Sequence, residues 1–138
     1  MYKAAIPVLL ALLPLAACAS SQNATGSTTF TRVANGVQVE VRLDEYKIHM
    51  PTRIPSGEVT FNIKNTGSHE HSVEINGQGI DAKLGHDLKP GESADLHVSL
   101  QPGIYRFWCP VGPHAAMGMR LDLTVVPPDA SEPAPASP

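Results

Sequence analysis

The chain has 138 residues, 42% of them hydrophobic and 5% aromatic, with 10 Lys plus Arg against 13 Asp plus Glu for a formal charge of -3. No cluster of basic residues occurs, so nucleic acid is not expected as a partner, and the length suits one domain with a modest core, not two. Gly (11) and Pro (13) are frequent and Cys (2) is rare, which fits a turn-rich β domain with some tail.

Lys3 precedes the apolar run Ile6 to Leu15, which ends in Leu15-Ala16-Ala17-Cys18. A bilayer-spanning helix needs about 20 apolar residues, so residues 1–17 read as a removed export signal. The Leu-Ala-Ala-Cys stretch resembles the lipobox of bacterial lipoproteins. That resemblance implies a diacylated, N-acylated Cys18 holding the protein on the periplasmic side of a membrane, the outer one in a diderm cell given Ala19. Ordinary cleavage near Ala19, leaving a soluble periplasmic protein, is the alternative. Residues 18–35 have the Ser/Thr/Asn/Gly composition of a flexible tether.

From residue 36 the pattern alternates with period two, as half-buried strands require. Val37, Val39, Val41 and Leu43 share one face, and Val59, Phe61 and Ile63 follow the Pro55-Ser56-Gly57 turn. His71, Val73 and Ile75 form the next inward triplet. Residues 77–88 are irregular and read as a loop or small helix. Leu96, Val98 and Leu100 follow Lys89-Pro90-Gly91-Glu92, then come Tyr105, Phe107 and Cys109, and last Leu121, Leu123 and Val125. At least six short strands and no helical window predict an all-β sandwich or small barrel over residues 36–126. Residues 127–138, Pro- and Ala-rich, read as a disordered tail.

If Cys18 is consumed by processing, Cys109 has no disulfide partner. A lone thiol in an oxidising compartment is reactive, metal-bound or deeply buried. Cys109, His114 and Met119 fall within eleven residues, and His71 lies upstream. His71, Cys109 and Met119 have inward parity in their strands. Singly, each has a plain structural role: a satisfied histidine, a packed thiol, a core thioether. Together, a His₂Cys set with a weak thioether selects copper, which cycles between Cu(I) and Cu(II) on the same soft ligands. Zinc has no comparable use for methionine. Met117 competes with Met119 for the thioether role, although Met119 sits at the start of a strand. His69 reads as a solvated loop residue or an additional exposed ligand, and His49, His86 and His97 as surface or structural.

On these residues the sequence resembles the cupredoxin family of small blue copper proteins. The matching pieces are Val59-Thr60-Phe61-Asn62-Ile63-Lys64-Asn65-Thr66-Gly67 running into His71, Leu88-Lys89-Pro90-Gly91-Glu92, and Tyr105 through Met119. The resemblance implies a Greek-key β-sandwich. It also implies one copper ion on His71, Cys109, His114 and axial Met119, with His114 the exposed histidine. The position after the upstream histidine is often an Asn or Asp that bonds the thiolate; here it is Ser72, and Gly112-Pro113 precedes His114.

The expected function is one-electron transfer by a monomer, with no substrate-converting site. Redox proteins would dock transiently at His114 and an apolar rim of Pro113, Ala115, Ala116 and Met117. A copper storage or delivery module is the alternative. Multicopper catalysis asks for further histidine-rich sites, and a binuclear centre for a second cysteine in the loop.

Overall fold

The computed structural model describes residues 29–130. The predicted signal, the Cys18 anchor and the first part of the tether lie outside these residues, as do the last eight of the tail.

Among the described residues, ten strands form in chain order: β1 (Phe30–Val33), β2 (Gly36–Asp44), β3 (Lys47–His49), β4 (Arg53–Pro55), β5 (Gly57–Asn65), β6 (Glu74–Gly77), β7 (Ile80–Lys83), β8 (Ser93–Leu100), β9 (Gly103–Trp108) and β10 (Arg120–Val126). One sheet has the order β1-β2-β5-β8 with β3 also paired to β2, and the other the order β4-β10-β9-β6-β7. The chain changes sheet after β3, β4, β5, β7 and β8, giving the all-β Greek-key sandwich expected.

Alternation produces the two layers. In β2, Val37, Val39, Val41 and Leu43 are buried while Gln38, Glu40 and Arg42 are exposed, and β5 and β8 bury every second residue in the same way. Phe61 of the first sheet meets Phe107 of the second with ring centroids 5.1 Å apart, and both are fully buried. Truncating either ring to Ala costs about 3–5 kcal/mol. Tyr105 is also fully buried, its hydroxyl donating to the Gln101 carbonyl (2.9 Å) and accepting from the Gln101 amide (3.1 Å), which removes the cost of an unpaired polar tip in the core.

Three sequence readings are corrected. Part of the expected tether is strand: β1 pairs antiparallel with β2, Val33 facing Gly36 across a two-residue connection. The signal was Ala34-Asn35-Gly36, a hairpin turn masked by the polar residues before it. Residues 77–88 are also not simply loop, because β6 and β7 form a hairpin closed by Gln78 and Gly79. Both have positive φ, 47° and 80°, as a type I′ turn requires. Finally, Pro128–Ala130 is a 3-10 turn, tied down by Arg53 Nη2 donating to the Ala130 carbonyl (3.1 Å), so the tail does not begin at residue 127.

β2 and β5 run parallel, so Leu43, Asp44 and Asn65 lie at the same end of the sandwich. There the chain leaves β5 toward His71, and the loop between β9 and β10 returns to meet it.

Candidate metal centre

The loop from Cys109 to Met119 closes on itself. The Cys109 amide donates to the Met119 carbonyl (3.0 Å), joining its two ends, and the His114 amide donates to the Val111 carbonyl (3.1 Å). The His114 carbonyl accepts from the amides of Met117 (3.1 Å) and Met119 (3.0 Å). Gly118 sits at φ 111°, a conformation that L side chains rarely adopt. Backbone bonds within eleven residues thus fix where Cys109, His114 and Met119 stand.

His71 is held differently. It bridges Leu88 in antiparallel fashion: the His71 amide donates to the Leu88 carbonyl (3.1 Å) and the Leu88 amide to the His71 carbonyl (2.7 Å). Asn65, fully buried, supports that bridge. Its Nδ2 donates to the carbonyls of His69 (2.7 Å) and Leu88 (2.8 Å), and its Oδ1 accepts from the Gly67 amide (2.9 Å).

These two supports bring three donor groups together. His71 Nδ1 lies 3.2 Å from His114 Nδ1, which lies 3.6 Å from Cys109 Sγ. The donor atoms of His71, Cys109 and His114 all lie within 4.8 Å of one another. His71 and Cys109 are 0% exposed and His114 is 9% exposed. The second histidine is therefore more enclosed than expected: the Tyr46 ring packs edge-on against it, centroids 4.9 Å apart. Met119 is fully buried in the hydrophobic core cluster that also contains Cys109, whereas Met117 is 52% exposed.

Burial shifts the proton affinity of Cys109 and His71. Desolvation pushes the Cys109 thiol up, against the opposing pull of the Ser72 and Val111 amides. Desolvation also pushes His71 down, with His114 adding to the effect and Glu45 opposing it. A neutral imidazole has a free lone pair, and a thiol gives up its proton to a metal. The set thus fits a soft, thiophilic cation: two imidazoles and one sulfur, converging and dry.

The Ser72 amide donates to Cys109 Sγ at 3.4 Å. The backbone makes this bond, so the short Ser72 side chain is no handicap. Asn65, Glu45 and Tyr46 are contributors that motif spacing did not reveal as such. Glu45 Oε1 accepts from the Ser68 amide (2.6 Å), the Ser68 hydroxyl (3.2 Å) and the His69 amide (2.9 Å), and lies 3.2 Å from His69 Nδ1. These bonds, the Ser68 amide first, hold the Glu45 pKa down at about 2. His69 itself is 61% exposed with its ring turned to Glu45, and it is not among the three converging donors. His49 pairs with Asp44 (2.8 Å) and His97 with Thr60 (3.0 Å), both at the surface, and His86 is exposed.

Residues 8–121 match the family model of the cupredoxin-like domain. The chain belongs to the cupredoxin-like family. Among solved structures, it is similar to dithionite-reduced auracyanin from the photosynthetic bacterium Roseiflexus castenholzii, at 22% identity over 65% of this chain and 97% of that one, TM-score 0.57. A multicopper oxidase matches with 19% identity and TM-score 0.57 over 78% of this chain, which spans about half (49%) of the oxidase. Reduced rusticyanin matches with 22% identity and TM-score 0.51 over 64% of this chain and 79% of that one. At these identities the likeness is one of fold. No curated protein matches the chain in sequence. The cupredoxin-like family implies copper, and the three convergent donors of this member are suited to it.

Proposed function

We propose that this cupredoxin-like protein is a one-electron carrier with a single type 1 copper ion held by His71, Cys109 and His114, with Met119 as the weak thioether. The observation that carries this reading is the buried trio of donors within 4.8 Å, standing ready on a self-braced loop and a clamped bridge. When bound, copper supplies a couple between Cu(I) and Cu(II) that soft ligands tolerate in both states. The residues contribute rigidity: a loop closed by its own amides has little to rearrange when charge changes. Auracyanin and rusticyanin, described in their reduced forms, support a redox role for this fold.

Burial of the donors supports a carrier over an enzyme, since no donor stands open to a substrate. It also favours transfer over copper delivery, because His69, the residue that would open the site, is engaged with Glu45. Redox partners would dock transiently on Pro113, Ala116 and Met117, exposed beside His114, an interface at the small end of the range. A lipid on Cys18 would keep the carrier on the periplasmic membrane face, the outer membrane in a diderm cell, as a monomer.

The test is repeated reduction and reoxidation of the copper-loaded chain, followed by visible absorption and metal analysis. The reading predicts full return of colour with one copper per chain retained through every cycle. Loss of copper on reduction would overturn it in favour of delivery.

A further inference from the structure

His71 Nε2 is buried and, among the described residues, has no hydrogen-bond partner, in a residue that is 0% exposed. An imidazole that offers Nδ1 to a metal must carry its proton on Nε2, and such a proton ordinarily meets a carboxylate, a carbonyl or water. Glu45 Oε1 is 3.6 Å away. That same oxygen takes the donors of Ser68 and His69, so one atom faces the whole segment that delivers His71.

Gly67 makes room for it. A Cβ on Gly67 would lie 2.6 Å from Glu45 Oε1 and 3.0 Å from Oε2, closer than packed atoms come, so any side chain there would push the carboxylate away. The contact thus depends on two residues 22 positions apart, Glu45 and Gly67. From the same turn, the neighbouring Tyr46 packs on His114, so the β2–β3 turn touches both histidines.

We propose that Glu45 is a positioning residue of the copper site, whose carboxylate fixes the His71 proton on Nε2, presents Nδ1 to the ion and favours the oxidised ion over the reduced one. The last part rests on the copper reading above; the first does not. A cation on Nδ1 polarises the Nε2–H bond and strengthens its attraction to the carboxylate, and more charge on the cation strengthens it further. Glu45 therefore lowers the reduction potential. Its side chain is 30% exposed, and solvent screens the effect. The expected change on neutralisation is about three- to tenfold in the relative affinity for the two oxidation states, or about 28–59 mV for a one-electron couple.

The variants separate charge from scaffolding. Glu45→Gln keeps an oxygen that accepts from Ser68 and His69 and removes only the charge. Gly67→Ala leaves Glu45 in place chemically but displaces its carboxylate. Glu45→Ala removes both functions. The experiment measures the potential of the copper-loaded full chain for the first two, and the ¹⁵N shifts of the His71 ring in the metal-free wild type and Glu45→Ala. The expected results are an unchanged visible band with a raised potential in both Glu45→Gln and Gly67→Ala, and loss of the Nε2–H preference in Glu45→Ala. Unmoved potentials in both loaded variants, or a His71 tautomer indifferent to Glu45→Ala, would overturn the proposal. A wild type that takes up no copper would refute the copper reading instead, and the ¹⁵N comparison alone would then decide whether Glu45 positions His71.

Discussion

Cys109, His114 and Met119 stand on a loop that closes on its own backbone, whereas His71 is placed by residues from the end of β5, the β2–β3 turn and the segment at Leu88. The first support is short and local, its bonds joining residues no more than ten apart. The second reaches across 23 residues from Asn65 to Leu88 and 23 from Glu45 to Ser68. A local loop keeps its ligands together even if the sandwich loosens. A long-range clamp makes the remaining ligand depend on the integrity of the whole fold, so the two halves should fail under different substitutions.

The largest effect on the clamp is expected from Asn65→Ala. It removes two buried side-chain donors and the acceptor for Gly67, costing about 2 kcal/mol of stability, and it frees the segment that carries His71. Denaturant unfolding of the metal-free protein should show that loss, and copper affinity should fall with it. An unchanged midpoint with unchanged affinity would mean that the clamp does not hold His71.

On the loop side, Met119→Leu conserves volume and should cost under about 1.5 kcal/mol in stability while changing the copper spectrum strongly. Met117→Leu should leave the spectrum alone, since Met117 is exposed and Met119 is buried. The reverse pattern would transfer the thioether role to Met117.

The smallest effect concerns pH. The folded-state pKa of Glu45 is about 2 against an ordinary 4.5, so the carboxylate contributes stability above pH 4.5 that is lost as pH falls toward about 2. Metal-free wild type should therefore lose stability over this window more steeply than Glu45→Gln. Parallel acid-unfolding profiles for the two proteins would contradict the bonds that Ser68 and His69 make to this carboxylate.

The same contrast explains what could be read from the sequence. Valines and leucines at alternate positions of β2, β5 and β8 announce two buried faces, because strand pleating leaves them no other arrangement. Ligand types packed into the stretch from Cys109 to Met119 are legible because turns are local. β1 and β7 were obscured because their pairing rests on two-residue turns with few apolar neighbours to mark them. Glu45 was illegible for a different reason: its role is to accept backbone amides, which leave no trace in the identity of their donors. Ser72 teaches the same lesson, since its amide, not its side chain, reaches Cys109 Sγ.

The most direct measurement for the central claim is titration of the full metal-free chain with Cu(II), followed by visible absorption and copper electron paramagnetic resonance, in parallel with Cys109→Ser. The expected result is saturation at one copper per chain and an intense thiolate-to-copper band with narrow hyperfine splitting, both spectral features being lost in Cys109→Ser. A colourless wild type, or a spectrum that survives Cys109→Ser, would contradict it.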